Sequence, residues 1–198
     1  MLREFSLADF ITLANGFCGT AAILAVLRFL VTAERGYLWF AYALLPLAVV
    51  FDYLDGRVAR WRQRMSPLGA HLDSLADLVS FGVAPAVLAF AVGMRGSWDA
   101  LVLMYFVACG ISRLARYNAT QAELADETGK VAYYEGTPIP TSLLLVVVLA
   151  VLTARGSIGS ALPGGSVEWL GGEFHPLSLL YFLSGSAMIS RRLRVPKP

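Results

Sequence analysis

Long apolar runs, separated by short charged stretches, make up most of this chain. A helix needs about 20 mainly apolar residues to cross a hydrocarbon core of roughly 30 Å, and backbone groups in lipid must be hydrogen-bonded within the protein. Six runs are candidates, at about residues 9–31, 37–60, 68–94, 98–117, 138–154 and 176–190, and the last two are short. The pattern predicts an all-α integral membrane protein, a six-transmembrane-helix bundle that forms one domain over residues 1–198.

The basic residues predict how this bundle is oriented, since Lys and Arg are retained preferentially on the cytoplasmic side of a membrane. Of the 16 Lys and Arg residues, one predicted face holds only Arg28, Arg35, Arg95 and Arg155, and the other face holds the remaining 12. We therefore expect a multi-pass protein of the cytoplasmic (inner) membrane with both termini in the cytoplasm. The first apolar run is too long for a signal peptide, so we expect it to remain in the mature protein.

The composition supports a membrane protein and excludes other classes. Hydrophobic residues make up 57% of the chain and charged residues 15%, against roughly 25% charged residues in soluble domains. The net charge is only +2, and topology accounts for the Arg clusters, so we expect no nucleic-acid binding. Cys18 and Cys109 lie far apart in apolar runs, which indicates small buried residues. We expect His71 to be an interfacial turn residue and His175 an outer-loop residue.

Four aspartates fall inside the second and third predicted spans, where carboxylates are costly and usually functional. Asp52 and Asp55 are three positions apart, and Asp73 and Asp77 are four positions apart, so each pair shares one helix face. If the two faces converge, the four anions repel one another unless cations compensate them. An all-oxygen site suits hard divalent cations such as Mg²⁺, and no His or Cys cluster suggests zinc.

The neighbouring residues indicate what such a metal site does. Gly56 and Gly69 leave room beside the acids for a ligand or for another helix. Arg60 closely follows the first acidic pair, where it either binds an anion that bridges the same metals or anchors the helix at the interface. Paired metals and an Arg are the parts that phosphoryl transfer needs. Their depth at the headgroup layer indicates an enzyme that acts on an activated lipid.

The acids also form part of a longer pattern. The sequence contains Asp52-x2-Asp55-Gly56-x2-Ala59-Arg60-x8-Gly69-x3-Asp73-x3-Asp77. This pattern resembles the complete signature of the CDP-alcohol phosphatidyltransferases. The resemblance implies a reaction in which an alcohol displaces CMP from a CDP-linked lipid, with two Mg²⁺ or Mn²⁺ ions held by the aspartates.

The resemblance also assigns roles by position. It implies that Asp52, Asp55 and Asp73 are the main metal ligands, and that Asp77 is the proton acceptor and a further ligand. The residues that would border the CDP moiety are Gly56, Ala59, Arg60, Ser66 and Gly69. Arg60 would contact a phosphate, and Ser66 has the alternative role of a helix cap.

Side motifs resemble the phosphatidylserine synthase branch of this family. They are Asn15–Gly19, Asp73–Ala86, Arg113–Asn118 and Gly136–Pro140, with Thr137 where that branch favours Leu. The branch implies a CDP-diacylglycerol donor and an L-serine acceptor, whose hydroxyl Asp77 would deprotonate, giving phosphatidylserine and CMP. Archaeal relatives look similar, so an archaeal CDP-lipid donor stays open. Family members are commonly homodimers, which we expect here.

Three further residues have two interpretations each. Arg113 and Arg116 bind either the serine carboxylate or donor phosphates, or else anchor their helix at the interface. Asn15 either contacts the nucleotide or hydrogen-bonds within the bundle.

Other functions remain as alternatives. Glycerol 3-phosphate or an inositol phosphate could be the acceptor in the same chemistry, since the signature describes the donor and the metals. A divalent-cation transporter also has buried aspartates, although such carriers place them near the midplane between related repeats. A purely structural membrane protein predicts that Asp77→Asn changes stability alone.

Overall fold

The computed structural model describes residues 6–61, 67–124, 133–190 and 194–196, and it is mostly helical. The helices are α1 (Leu7–Thr32), α2 (Arg35–Trp61), α3 (Pro67–Asp77), α4 (Ala84–Val92), α5 (Ser97–Leu124), α6 (Leu143–Ala154) and α7 (Ser178–Ile189). A π-helical segment, Leu78–Val83, joins α3 to α4 without a break, so these three form one span. The described residues thus form six helical units in the predicted order.

Four of these units are long and apolar enough to cross a membrane, which confirms that this is a membrane protein. They are Leu7–Thr32, Arg35–Val58, Leu68–Val92 and Ser97–Thr120. The last two predicted spans correspond to the shorter apolar helices Ile139–Ala154 and Ser178–Ile189. At about 1.5 Å per residue, α7 with its 12 residues is only about 18 Å long, so a full crossing by these two helices stays a prediction.

The described residues are mostly helical, as the predicted all-α class requires, and they also include two short antiparallel ribbons. Strand β2 (Val167–Trp169) pairs with β3 (Gly172–Phe174), and β1 (Tyr133–Glu135) pairs with β4 (Arg194–Pro196). In the first ribbon the two-residue turn has positive φ at both positions, as a tight hairpin requires. The second ribbon joins segments far apart in sequence, for which local patterning gives no signal.

Local sequence explains the start of α1 and the irregular third span. Ser6 caps α1: its hydroxyl accepts from the Asp9 N–H, and its own N–H donates to Asp9 Oδ2 at 2.6 Å. The π-helical segment ends just before Pro85, a residue with no N–H to donate within a regular helix. Such wide turns occur often at functional sites, and this one directly follows Asp77.

Helix α1 packs on α2 and along the third span, while α5 packs on α7. Gly19 allows α1 to approach the third span closely, because a Cβ at this position would lie within 2.9 Å of Ser80. Large side chains such as Phe81, Phe106 and Tyr181 fill the core. Cys18 and Cys109 are both buried and free, which confirms the prediction for them.

Candidate active site

Three aspartates converge where the end of α2 meets α3. Asp52 and Asp55 lie on one face of α2 and Asp73 lies on α3, and one carboxylate oxygen from each is within 4.8 Å of the others. This convergence is what the three- and four-residue spacings predict. Asp77 lies one helical turn beyond Asp73 and is buried. The four carboxylates therefore line one short stretch of two adjacent helices.

The donor set fits a divalent cation. Asp73 Oδ1 is buried and has no hydrogen-bond partner among the residues that the structure describes, which is an unusual and costly state for a carboxylate oxygen. A cation would satisfy this oxygen, and carboxylates are the ligands that Mg²⁺ and Mn²⁺ prefer. Asp52, Asp55 and Asp73 are thus placed to hold such an ion, with Asp77 nearby.

Helix α1 orients two of the carboxylates. Thr12 Oγ1 donates to Asp55 Oδ2 at 2.6 Å, and Asn15 Nδ2 donates to Asp77 Oδ1 at 2.9 Å. Both α1 side chains are buried, so water does not compete for these bonds. The Ser80 hydroxyl donates to the backbone carbonyl oxygen of Asn15 at 2.9 Å. This bond joins α1 to the third span close to the Asn15–Asp77 contact.

The structure places Asn15 within the bundle, as one of its two predicted interpretations requires, while its Oδ1 is buried without a partner among the described residues. Thr12 is a site residue that the sequence patterns did not single out. Its signal is a hydroxyl three positions before Asn15, on the same face of an otherwise apolar helix.

The predicted arginines lie on α5, near the end that faces the acids. Asn118 on α5 hydrogen-bonds to Ser74 at 2.9 Å, beside Asp73. Arg113 is buried, and Arg116 donates Nη1 to the Ile189 carbonyl oxygen at 3.3 Å, at the end of α7. The Arg116 contact is structural, but its Nη2 is buried without a partner in the described part of the chain.

The remaining predicted site residues follow the backbone of α2 and α3. Gly56 directly follows Asp55, Gly69 lies near the start of α3, and both are half-buried. Ala59 and Arg60 belong to α2, but their side chains are outside the described residues. Ser66 is outside the described residues altogether.

The predictions for the two histidines are each correct in part, since His175 does lie in a loop, between β3 and α7. His71 is exposed, but it lies within α3 rather than in a turn. His175 is buried. Its backbone N–H donates to Asp99 Oδ1 at 2.8 Å, and its ring Nδ1 lies 2.6 Å from Asp99 Oδ2. The partners are 76 positions apart, so sequence spacing gives no hint of this pair.

The chain is similar to known proteins over most of its length. A family profile described as CDP-alcohol phosphatidyltransferase matches residues 5–177. The chain is 48% identical to the CDP-diacylglycerol--serine O-phosphatidyltransferase of Saccharomyces cerevisiae, over all of this chain and 73% of the relative. It is 33% identical to the protein of that name in Mycobacterium tuberculosis, over 75% of this chain and 48% of the relative. It is 35% identical to the archaetidylserine synthase of Methanothermobacter thermautotrophicus, over 74% of this chain and 60% of the relative.

Proposed function

Because the chain belongs to the CDP-alcohol phosphatidyltransferase family, we propose that it transfers a phosphatidyl group from CDP-diacylglycerol to the hydroxyl of L-serine, giving phosphatidylserine and CMP. The observation that carries the chemistry is the convergence of Asp52, Asp55 and Asp73. Serine as the acceptor rests on the names of the yeast, mycobacterial and archaeal relatives, all of which are serine enzymes.

The aspartates would hold two divalent cations, Mg²⁺ or Mn²⁺, through Asp52, Asp55 and Asp73, with Asp77 as a further ligand. When bound, these cations neutralise charge on the diphosphate and polarise the phosphoryl group. This assignment is supported by Asp73 Oδ1, which is buried and has no hydrogen-bond partner among the described residues. Gly56, Ala59, Arg60, Ser66 and Gly69 border the CDP moiety, and the guanidinium of Arg60 binds a phosphate.

Asp77 accepts the proton of the attacking hydroxyl. Asn15 Nδ2 holds Asp77 Oδ1 at 2.9 Å, which fixes the carboxylate and leaves Oδ2 for the proton. The serine oxygen then attacks the phosphorus attached to diacylglycerol. The bond between this phosphorus and the bridging oxygen breaks, and CMP leaves with that oxygen.

Arg113 and Arg116 supply positive charge for the serine carboxylate or for the donor phosphates. Both lie within one turn of each other on α5, and Asn118 brings this end of α5 to Ser74 beside the acids. Buried guanidinium groups suit carboxylates because they donate two parallel hydrogen bonds. Replacing Arg113 with Lys should therefore raise the KM for serine more than it lowers kcat.

An archaeal CDP-lipid donor is the second candidate, favoured by the 35% identity to an archaetidylserine synthase. The reacting groups are the same in both cases, and only the lipid tail differs. Competition between CDP-diacylglycerol and its isoprenoid-ether counterpart in one reaction would identify the preferred donor. We further propose a homodimer in the cytoplasmic membrane, with both termini and the aspartates on the cytoplasmic side, as the Arg distribution favours.

The test is CMP release by the purified full chain with CDP-diacylglycerol and Mg²⁺ or Mn²⁺. L-serine, glycerol 3-phosphate and an inositol phosphate are supplied one at a time, and we expect release with L-serine alone. Equal release with another alcohol would overturn the acceptor assignment. Uptake of radiolabelled divalent ions into proteoliposomes, without CMP release from any alcohol, would favour a transporter.

A pair of variants separates the proposed base from a general effect of lost charge. Asp77→Asn should lower kcat by about 10²–10⁴, the range of general-base contributions. Glu168→Gln makes the same chemical change on the exposed β2 strand and should keep full activity. An active Asp77→Asn enzyme would exclude this residue as the base.

A further inference from the structure

An apolar pocket lies at the opposite end of the bundle from the aspartates. It has a volume of about 470 Å³ and is lined by Trp98, Val102, Val167, Trp169, Phe174 and Leu179. These residues come from the start of α5, the start of α7 and the hairpin β2–β3. Trp98 precedes Asn118, which lies beside the acids, by 20 helical residues, or about 30 Å. The pocket is therefore separate from the proposed reaction site.

The hairpin is fixed firmly on the start of α5, so the pocket has a preformed wall. Trp98 Nε1 donates to the Trp169 carbonyl oxygen at 2.8 Å, and the two ring centroids are 5.5 Å apart. The backbone of Gly172 packs directly on the Trp98 indole, because a Cβ at this position would lie 2.6 Å from Nε1. At the end of the hairpin, His175 binds Asp99 through two hydrogen bonds.

The tip of this hairpin presents apolar side chains at a conformational cost. Leu170 has φ +47°, a left-handed conformation that is unfavourable for a bulky residue. Its side chain is nevertheless 76% exposed, and that of the neighbouring Trp169 is 61% exposed. A strained, exposed leucine beside a tryptophan is unfavourable in water, whereas tryptophan is enriched at the boundary between membrane and water.

The pocket is continuous with the surface that faces lipid. Leu179 lines the pocket and is itself 47% exposed, and Leu183, one turn further along α7, is 62% exposed. On α5, Leu101 is exposed directly beside Val102. All the lining side chains are apolar, and the volume falls within the range of pockets that enclose ligands. A flexible hydrocarbon chain from the surrounding bilayer matches this chemistry.

We propose that residues 167–174 lie in the interfacial layer of the membrane and, with the first turns of α5 and α7, hold an acyl chain of a bilayer phospholipid in this pocket. The site is a lipid-binding site distinct from the one that binds the CDP-linked substrate. It is formed by the Trp98–Trp169 contact and by the His175–Asp99 pair that holds the hairpin in place.

Photocrosslinking tests this occupant. The full chain is reconstituted into bilayers of dioleoylphosphatidylcholine that contain a small fraction of phosphatidylcholine with a diazirine on one acyl chain. We expect adducts on the lining residues of the hairpin and α7. Leu179→Trp fills the pocket and should lower this labelling about tenfold, whereas Leu183→Trp adds the same bulk outside the pocket and should leave it unchanged.

The proposal is overturned if both variants keep the labelling, since lipid then only passes along the surface. It is also overturned if a diazirine analogue of leucine at position 179, in bilayers without the diazirine lipid, crosslinks to a second copy of the chain. Val102→Phe fills the pocket from the opposite wall and repeats the test if Leu179→Trp misfolds. CMP release by each variant serves as the folding control, because these residues lie far from the aspartates.

A second measurement tests the depth of the hairpin without filling the pocket. A variant with Trp39→Phe and Trp61→Phe keeps Trp98 and Trp169 as the fluorescent residues. We expect phospholipids brominated near the headgroup end of the chain to quench this fluorescence more strongly than acrylamide in water. Quenching by acrylamide alone would place the hairpin in water and overturn the interfacial location.

Discussion

Thr12→Val is the sharpest test of how α1 supports the metal site. The substitution removes one hydroxyl and keeps the branched shape of a buried side chain. Asp55 Oδ2 then loses its 2.6 Å donor, and burial prevents water from replacing it. The same hydroxyl also donates to the Ala8 carbonyl oxygen at 3.1 Å. This oxygen keeps its backbone hydrogen bond within α1 when the hydroxyl is removed. The loss therefore falls on the carboxylate.

The expected size follows from the chemistry of this bond. A hydrogen bond to a charged group contributes about 1.5–3 kcal/mol, and a tenfold change in affinity corresponds to about 1.4 kcal/mol. The hydrogen bond already exists before the cation binds, so only part of its energy contributes to the affinity for the cation. The effect should therefore lie at the lower end of this range. Groups that orient metal ligands typically change affinity by 10–100-fold. We expect the Kd for Mn²⁺ to rise about tenfold.

The assay is Mn²⁺ binding to the purified protein, measured by calorimetry or by electron paramagnetic resonance without substrate. Thr12→Ser keeps the hydroxyl and should bind Mn²⁺ like the original chain. Thr20→Val is the matched control, because Thr20 lies on the same helix, is exposed and donates only to its own helix at Gly16. The reasoning is refuted if folded Thr12→Val binds Mn²⁺ as tightly as Thr20→Val. Absence of Mn²⁺ binding by the original chain would instead refute the metal site itself.

Three further outcomes are expected. Chelation by EDTA should abolish CMP release and added Mn²⁺ should restore it, since the buried Asp73 Oδ1 has no hydrogen-bond partner among the described residues and a cation would satisfy it; turnover in excess chelator would exclude a metal enzyme. His175→Ala removes the imidazole from Asp99 Oδ2, which then keeps only the Gly96 N–H as a donor, and should lower the free energy of unfolding by about 1–3 kcal/mol, measured by thermal melting, with unchanged specific activity at low temperature. Gly19→Ala forces a Cβ to within 2.4 Å of Ser80 Oγ and should lower both stability and activity, whereas Gly36→Ala meets nothing within 4 Å and should be silent; equal effects would refute the close packing of α1.

The sequence predicts the elements that depend on local periodicity. Apolar runs locate the six helical units, and the spacing of Asp52 with Asp55 places both on the face that meets Asp73. It does not predict pairings between distant segments. Thr12 and Asp55 are 43 positions apart, and the helix face that Thr12 shares with Asn15 does not indicate which distant residue its hydroxyl contacts.

The hairpin and the wide turn escape prediction for different reasons. The hairpin turn at Leu170 and Gly171 lacks the Asn-Gly or Asp-Gly pair that usually marks such a connection. The π-helical segment carries the same apolar composition as a regular helix, so hydropathy alone does not distinguish the two. Both features are set by packing against other parts of the bundle.

The π-helical segment Leu78–Val83 lets the two halves of the third span face different neighbours. One additional residue in a helix rotates everything beyond it by about 100°, so the acidic half is aimed at α2 while the apolar half is aimed at the core around Leu88 and Val92. Deleting a single residue here would restore a regular helix. It would also turn either Asp73 away from its partners or those core side chains out into the bilayer. The length of this segment is therefore constrained both by the acidic site and by the packing of the core.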